Sequence, residues 1–146
     1  MYKLFLHRAT IAALLMIGAL TACKKQDVDP AKPAAELSSY VTGQYTLKQI
    51  SANGQVHSAS DEDLEGGVNI SRISANSVSL ELAINAASTG EAIMATSVSD
   101  ISVTDAGNNE VNLIKGTSAI GKGGSSKLSI NIKGGDGVAY VLIMTK

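Results

Sequence analysis

The chain has a single cysteine, Cys23, and the position of this residue limits the chemistry that its sulfur could do. It lies where an uncharged run, Ala9 to Leu20, ends and a polar segment begins. A cysteine inside a folded domain can serve as a nucleophile, a metal ligand or half of a disulfide. A cysteine at such a boundary instead indicates where the protein is held in the cell.

The residues before Cys23 have the pattern of a secretion signal. Lys3, His7 and Arg8 give a charged start, and the uncharged run that follows has 12 residues. As a helix this run would be roughly 18 Å long, at about 1.5 Å per residue. A bilayer core needs about 20 residues to cross about 30 Å. We therefore interpret residues 1–22 as a signal peptide rather than as part of the fold.

The end of this signal, Leu20-Thr21-Ala22-Cys23, resembles the lipobox of bacterial lipoprotein signal peptides. The resemblance covers the first 23 residues. It implies that a diacylglycerol is joined to the Cys23 sulfur, that the signal is removed just before Cys23, and that the new amine is acylated. Three fatty chains would hold the protein at a membrane, because each buried methylene contributes about 0.8 kcal/mol. The alternative is an ordinary signal peptide with an incidental cysteine.

The sequence after the signal divides into two parts. Residues 23–39 are predicted to be a lipidated tether, since this segment contains both prolines, Pro30 and Pro33, and no regular hydrophobic period. Residues 40–146 are predicted to form an all-β domain. A lipidated Cys23 has no free thiol, so disulfides and cysteine catalysis are excluded.

An acidic stretch, Asp61 to Arg72, follows much of the calcium-loop pattern D-x-D-x-[DN]-G. Asp61, Asp63 and Glu65 occupy the first, third and fifth places, where carboxylates would bind the ion. The twelfth place needs a bidentate glutamate but has Arg72, a cation. The pattern therefore favours a solvated acidic loop, with a weak calcium site at Asp61, Asp63 and Glu65 as the alternative.

Other chemistry has few residues to use. Gly116 to Gly123 nearly matches a P-loop, but Gly123 replaces the Ser or Thr that binds magnesium, and we predict a flexible loop there. His57 is the only histidine after the signal, and its neighbours Ser58 and Ser60 do not make a triad by being near in sequence. A pair of catalytic carboxylates, as in glycosidases, would have to come from acidic residues that are scattered along the sequence. We predict no catalytic residues, no metal, no cofactor and no enzymatic activity.

The charge of the chain argues against nucleic acid as a partner. Removing Lys3 and Arg8 with the signal leaves 10 of the 12 basic residues beside 13 acidic ones, a formal net charge of −3. The sequence has no basic stripe, and its only aromatic residues after Cys23 are Tyr40, Tyr45 and Tyr140. The partners that remain are a membrane reached through the lipid, and either a small apolar ligand or another envelope protein.

From Tyr40 onward, apolar and polar residues alternate with the period of β-strands. A bulge is predicted near Ser99–Asp100, because the apolar positions on either side of it are out of phase. Asn53-Gly54 predicts a tight hairpin. The last run, Val138 to Thr145, is apolar on both faces and predicts a central strand or one that closes a barrel.

About eight strands at intervals of 8–12 residues favour a barrel or a sandwich. Gly43-Gln44-Tyr45 opens the first strand and resembles the Gly-x-Trp with which lipocalin-like families begin theirs, with Tyr in place of Trp. The resemblance, to small lipocalin-like lipoproteins of Gram-negative bacteria, implies an eight-stranded antiparallel barrel, which is wide enough for one small ligand. A β-sandwich is the alternative.

The predicted inward positions of the strands are aliphatic: Val78, Leu80, Leu82, Leu128 and Ile130. They would either fill the barrel as a core or line a cavity for an apolar molecule. Two functions follow. The first is a lipoprotein of the outer membrane, on its periplasmic side or at the cell surface, that holds a small apolar ligand. The alternative is a filled β-domain that binds another envelope protein.

Overall fold

The computed structural model describes residues 36–135 and 137–146. A short 3-10 helix, Leu37–Tyr40, comes before the strands. The strands are β1 Gly43–Ala52, β2 Gln55–Ser58, β3 Leu64–Ser74, β4 Ser77–Ala86, β5 Ala92–Gly107, β6 Glu110–Lys115, β7 Ser118–Gly124, β8 Lys127–Lys133 and β9 Ala139–Thr145. Over the described ranges, no helix has the length and apolar character needed to cross a membrane.

Eight of these strands close into an antiparallel barrel. Neighbours in sequence pair from β3 to β9, and β1 joins the two ends of the sheet by pairing with β3 on one edge and with β9 on the other. The extra strand, β2, forms a hairpin with the end of β1. This closed ring confirms the predicted barrel and overturns the sandwich alternative, which would have left two separate sheets.

The hairpin and the bulge lie where the sequence predicted them. Asn53 and Gly54 both have positive φ, at 51° and 80°, which suits the two-residue turn between β1 and β2. In the β4–β5 pair, Ser99 and Asp100 together oppose a single residue, and Asp100 has a φ of 53°. The run that is apolar on both faces became β9, which closes the barrel.

The five predicted inward residues form part of the core, and each is at most 3% exposed. Other members of the same core cluster are aliphatic as well, including Ile70, Leu113 and Leu142. Burial of each such side chain contributes about 1.5–3 kcal/mol. The prediction of an aliphatic interior is therefore confirmed for these positions.

The two ends of the barrel differ, and we name them the closed end and the mouth end. The closed end contains the start of β1, the β3–β4 turn and the 3-10 helix. There Val41 and Ser38 are fully buried, and the Ser38 N–H donates to the Ala75 oxygen over 2.9 Å. The mouth end contains the β1–β2 hairpin and the β4–β5 and β8–β9 connections.

One local prediction was wrong. The stretch that resembles a P-loop is not a flexible loop, because most of it is strand β7. Gly121 and Gly123 are buried in that strand, and a Cβ on Gly123 would lie 2.6 Å from a methyl carbon of Leu128. The larger side chains of β8 fill the space that a side chain on β7 would occupy. The glycines thus serve packing, although their density in the sequence is typical of a loop.

Candidate functional site

The mouth end contains an apolar pocket of about 430 Å³. Its walls come from six strands and from the β8–β9 connection. The lining residues are Ile50, Leu64, Ile84, Ile93, Met94, Ile132, Gly134, Gly135, Tyr140 and Leu142. Pockets of about 300–1,000 Å³ with mostly apolar walls are typical of small-molecule sites.

The pocket exists because the core ends before the strands do. Ile84 and Leu142 are still buried, and they form its floor. Farther along the strands, Ile132 and Met94 are only partly buried, and Ile93 is 56% exposed. The interior is thus packed toward the closed end and open at the mouth, so both sequence alternatives, a filled core and an apolar cavity, apply to different parts of the barrel.

A second depression of about 410 Å³ adjoins the first and shares Ile50, Leu64 and Tyr140 with it. This one has a polar side formed by His57 and Glu62. The His57 Nδ1 lies 3.0 Å from a Glu62 carboxylate oxygen, and both side chains are nearly half exposed. The mouth therefore combines an apolar floor with one polar edge.

The residues considered for catalysis do not form a catalytic pair. The Ser58 and Ser60 hydroxyls are hydrogen-bonded to each other over 2.8 Å, and the recorded partner of the His57 ring is Glu62. A nucleophile needs a base within hydrogen-bond reach. Within residues 36–135 and 137–146, we find no such serine–histidine contact.

The three carboxylates of the calcium-like stretch have other positions. Asp63 connects two loops, since its carboxylate accepts hydrogen bonds from the Ser88 N–H and the Ser88 hydroxyl. Glu65 lies in β3, which begins at Leu64. In the part of the chain that the structure describes, no three potential ligands are grouped so that they could hold a metal ion.

The cation at the twelfth place of that stretch has a structural partner. Arg72 forms two contacts with the Glu36 carboxylate, of 2.7 and 2.9 Å. This bidentate pair connects the first described residue to β3 near the closed end. The lipobox residues Leu20, Thr21, Ala22 and Cys23 lie outside the described residues.

Opposite the mouth, Tyr45 of the Gly-x-Tyr motif lies in the closed end. Its hydroxyl is within hydrogen-bond distance of the Val41 and Gly124 carbonyl oxygens, at 2.9 and 2.7 Å, so its one proton is shared between two acceptors. Burial raises the pKa of this phenol to about 12. Tyr45 is therefore part of the packed closed end and does not line the pocket.

Sequence reasoning missed Ile93, Met94 and the β8–β9 connection as pocket residues. Ile93-Met94 did carry a signal, because it is an apolar pair directly after a turn-rich segment, at the start of a strand. Barrel closure determines which strand ends meet around the mouth. The alternation of residues along a strand carries no information about that meeting.

Fold and site together define a small antiparallel β-barrel with one closed end and one apolar mouth end. No protein-family model matches the chain, and no curated protein does. A crystal structure of a "putative outer membrane protein" from Bacteroides fragilis is similar, with a TM-score of 0.49 and 18% sequence identity. The match covers 76% of this chain and 52% of the other, so this chain spans about half the length of that protein. The barrel assignment rests on the strand pairings of this chain.

Proposed function

We propose that the protein is a membrane-anchored lipoprotein of the bacterial cell envelope whose barrel mouth binds a small apolar ligand. The observation that carries the binding role is the apolar pocket of about 430 Å³. An aliphatic floor favours a hydrocarbon-like ligand, because burial of apolar surface contributes about 25 cal/mol per Å². The proposal includes no catalytic step, no cofactor and no nucleic acid.

The anchoring role is supported by the lipobox-like Leu20-Thr21-Ala22-Cys23. Twelve residues lie between Cys23 and Glu36, and Glu36 is paired with Arg72 near the closed end. The first described residue therefore lies near the closed end, and the mouth is at the opposite end of the barrel. Attachment at the outer membrane, on either face, is consistent with this arrangement.

A matched pair of substitutions tests the ligand role. Ile93 and Ile73 are both exposed isoleucines, at 56% and 52%, but Ile93 lines the pocket and Ile73 lies on β3 near the closed end. The probe is 1-anilinonaphthalene-8-sulfonate, displaced by dodecanoate and followed by fluorescence. Ile93→Asp should weaken dodecanoate binding at least about tenfold, which corresponds to about 1.4 kcal/mol. Ile73→Asp should leave binding unchanged.

Equal dodecanoate binding by both variants and the parent would contradict the proposed pocket, as would a lack of displaceable probe.

The anchor is tested separately. Cys23→Ser should abolish labelling by radioactive palmitate and release the protein from the membrane fraction. Unchanged labelling of that variant would refute lipidation at Cys23 without affecting the ligand result.

A further inference from the structure

Strand β5 has 16 residues, more than any other described strand, and only part of it has neighbours on both sides. Along one edge, residues 92–102 pair with β4. Along the other edge, β6 pairs only with Ser102 to Gly107. Among the described residues, the second edge of Ala92–Val98 therefore has no strand beside it and no backbone hydrogen bond from a loop. We call Ala92–Val98 the open edge.

The open edge lacks most of the features that protect sheet edges. Proteins usually place a lysine, a proline or an inward-pointing charge on an exposed edge strand to prevent pairing with another chain. The sequence Ala-Ile-Met-Ala-Thr-Ser-Val contains none of these and no glycine. A register shift at Ile93 and the bulge at Ser99–Asp100 bound a regular stretch, Met94–Val98. That stretch is a template for one more antiparallel strand.

The charges around the open edge favour a second copy of this chain as the added strand. A two-fold axis through Thr96 would pair Met94 with Val98 of the other copy and would place no like charges directly opposite each other. The exposed Glu91 of one copy would come near Ser99 of the other, within roughly two residues, or about 7 Å, along the strand. The Ser99 carbonyl oxygen already accepts a hydrogen bond from the Lys115 Nζ over 2.6 Å.

The added strand would therefore bring a carboxylate to each lysine at both ends of the interface. The acid nearest to Glu91 in this arrangement is Asp100 of the other copy. It lies in the bulge, where it accepts a hydrogen bond from the Ser99 hydroxyl over 3.1 Å. We propose that two copies of this chain pair through their open edges, which joins their barrels by a continuous antiparallel sheet with symmetric Glu91–Lys115 ion pairs. An interface of this kind presents the same patch on both subunits.

The proposal is independent of the ligand role, although the two surfaces meet. Ile93 and Met94 belong to both the open edge and the pocket wall. Pairing would place a second strand along that wall and shield the 56% exposed Ile93 from water. Dimers would form whether or not the pocket binds an apolar molecule.

Cysteine cross-linking of the full chain in its membrane tests the pairing. Thr96→Cys puts a thiol on the two-fold axis, where paired Cα atoms about 4.5–5.5 Å apart suit a disulfide. Thr104→Cys is the matched control, because Thr104 is also exposed on β5 but pairs with Asn112 of β6. After mild oxidation, Thr96→Cys should give a band at twice the monomer mass on a non-reducing gel. Thr104→Cys should give only the background of the parent chain.

Charge exchange provides the second arm of the experiment. In the Thr96→Cys background, Glu91→Lys should lower the cross-linked fraction several-fold, and the further change Lys115→Glu should restore it. Circular dichroism shows whether Thr96→Cys folds. If it does not, light scattering on the parent chain in detergent measures whether its mass is that of a monomer or of a dimer.

Three results would overturn the proposal: a monomeric parent chain, equal cross-linking at Thr96 and Thr104, or cross-linking of Thr96→Cys to a different polypeptide. The last of these would assign the open edge to another envelope protein. Dimer-specific cross-linking that follows the charge exchange would support self-pairing.

Discussion

Lys146 lies over the ring of Tyr45, with its Nζ 5.0 Å from the ring centroid. The same ammonium group donates a hydrogen bond to the Thr42 oxygen over 2.8 Å. The residue after β9 therefore covers the Gly-x-Tyr motif at the start of β1. The pairing of β1 with β9 is the one that closes the barrel. Lys146 is exposed, and a cation–π contact at an exposed site contributes about 0.5–1 kcal/mol. The hydroxyl at the other end of the ring is the larger contributor.

Tyr45→Phe should destabilise the barrel by about 1–2 kcal/mol, because it leaves the buried Val41 and Gly124 carbonyl oxygens without their shared donor. Urea unfolding followed by circular dichroism measures this change. Tyr40→Phe is the matched control, since Tyr40 also packs against the core but its hydroxyl has no recorded donor or acceptor in the described ranges. Equal losses in the two variants would contradict the role given to the Tyr45 hydroxyl.

The pH dependence of stability should differ between the parent and Tyr45→Phe. Burial raises the pKa of Tyr45 from 10.0 to about 12 in the folded protein. The unfolded state therefore loses this proton first, so the associated stability is complete below pH 10 and is lost as the pH rises toward 12. Unfolding free energies from pH 9 to 12 should fall more steeply for the parent chain. Parallel curves would show that Tyr45 does not titrate differently on folding.

Gly67→Ala should destabilise the fold by about 3 kcal/mol or more, a large part of the roughly 5–15 kcal/mol that holds a domain together. A Cβ at Gly67 would lie 1.9 Å from the Tyr45 carbonyl oxygen, since Gly67 of β3 is paired with Thr46 of β1. The backbone of two core strands would have to move apart. Thermal unfolding measures the effect.

Gly135→Ala is the comparison for this change, since nothing lies within 4 Å of a Cβ at Gly135. A substitution of this kind should alter stability by no more than about 0.5 kcal/mol. A Gly67→Ala variant as stable as Gly135→Ala would mean that β1 and β3 are farther apart than the structure shows.

Asp63→Ala should lower the free energy of unfolding by about 1–2 kcal/mol, because two hydrogen bonds to a charged carboxylate are lost. These bonds, to the Ser88 N–H and hydroxyl, connect the segment before β3 to the β4–β5 connection. Asp61→Ala, an exposed aspartate without such contacts among the described residues, should have little effect.

Added calcium should leave the melting temperature of the parent unchanged. A calcium-dependent rise that Asp61→Ala abolishes would restore the metal hypothesis.

Much of the fold could be predicted because its signals are local. Alternation in strands such as β4, the Asn53-Gly54 turn and the phase slip at Ser99–Asp100 each depend on a few neighbouring residues, and each corresponds to a feature of the structure. The error over β7 has the opposite cause. Gly121 and Gly123 look like loop residues until the side chains of β8 that lie against them are known.

By itself, the amino-acid sequence determined the all-β class, the aliphatic interior and the positions of the sharpest turns. These depend on which face of a strand can be buried and on which residues tolerate positive φ. Only the tertiary structure decided that β1 meets β9, that the core stops at Ile84 and Leu142, and that about half of β5 has no neighbouring strand on one of its two edges. Pocket and edge both arise where strands of unequal length meet around a closed ring. That relation joins residues far apart in the chain, so no local pattern can encode it.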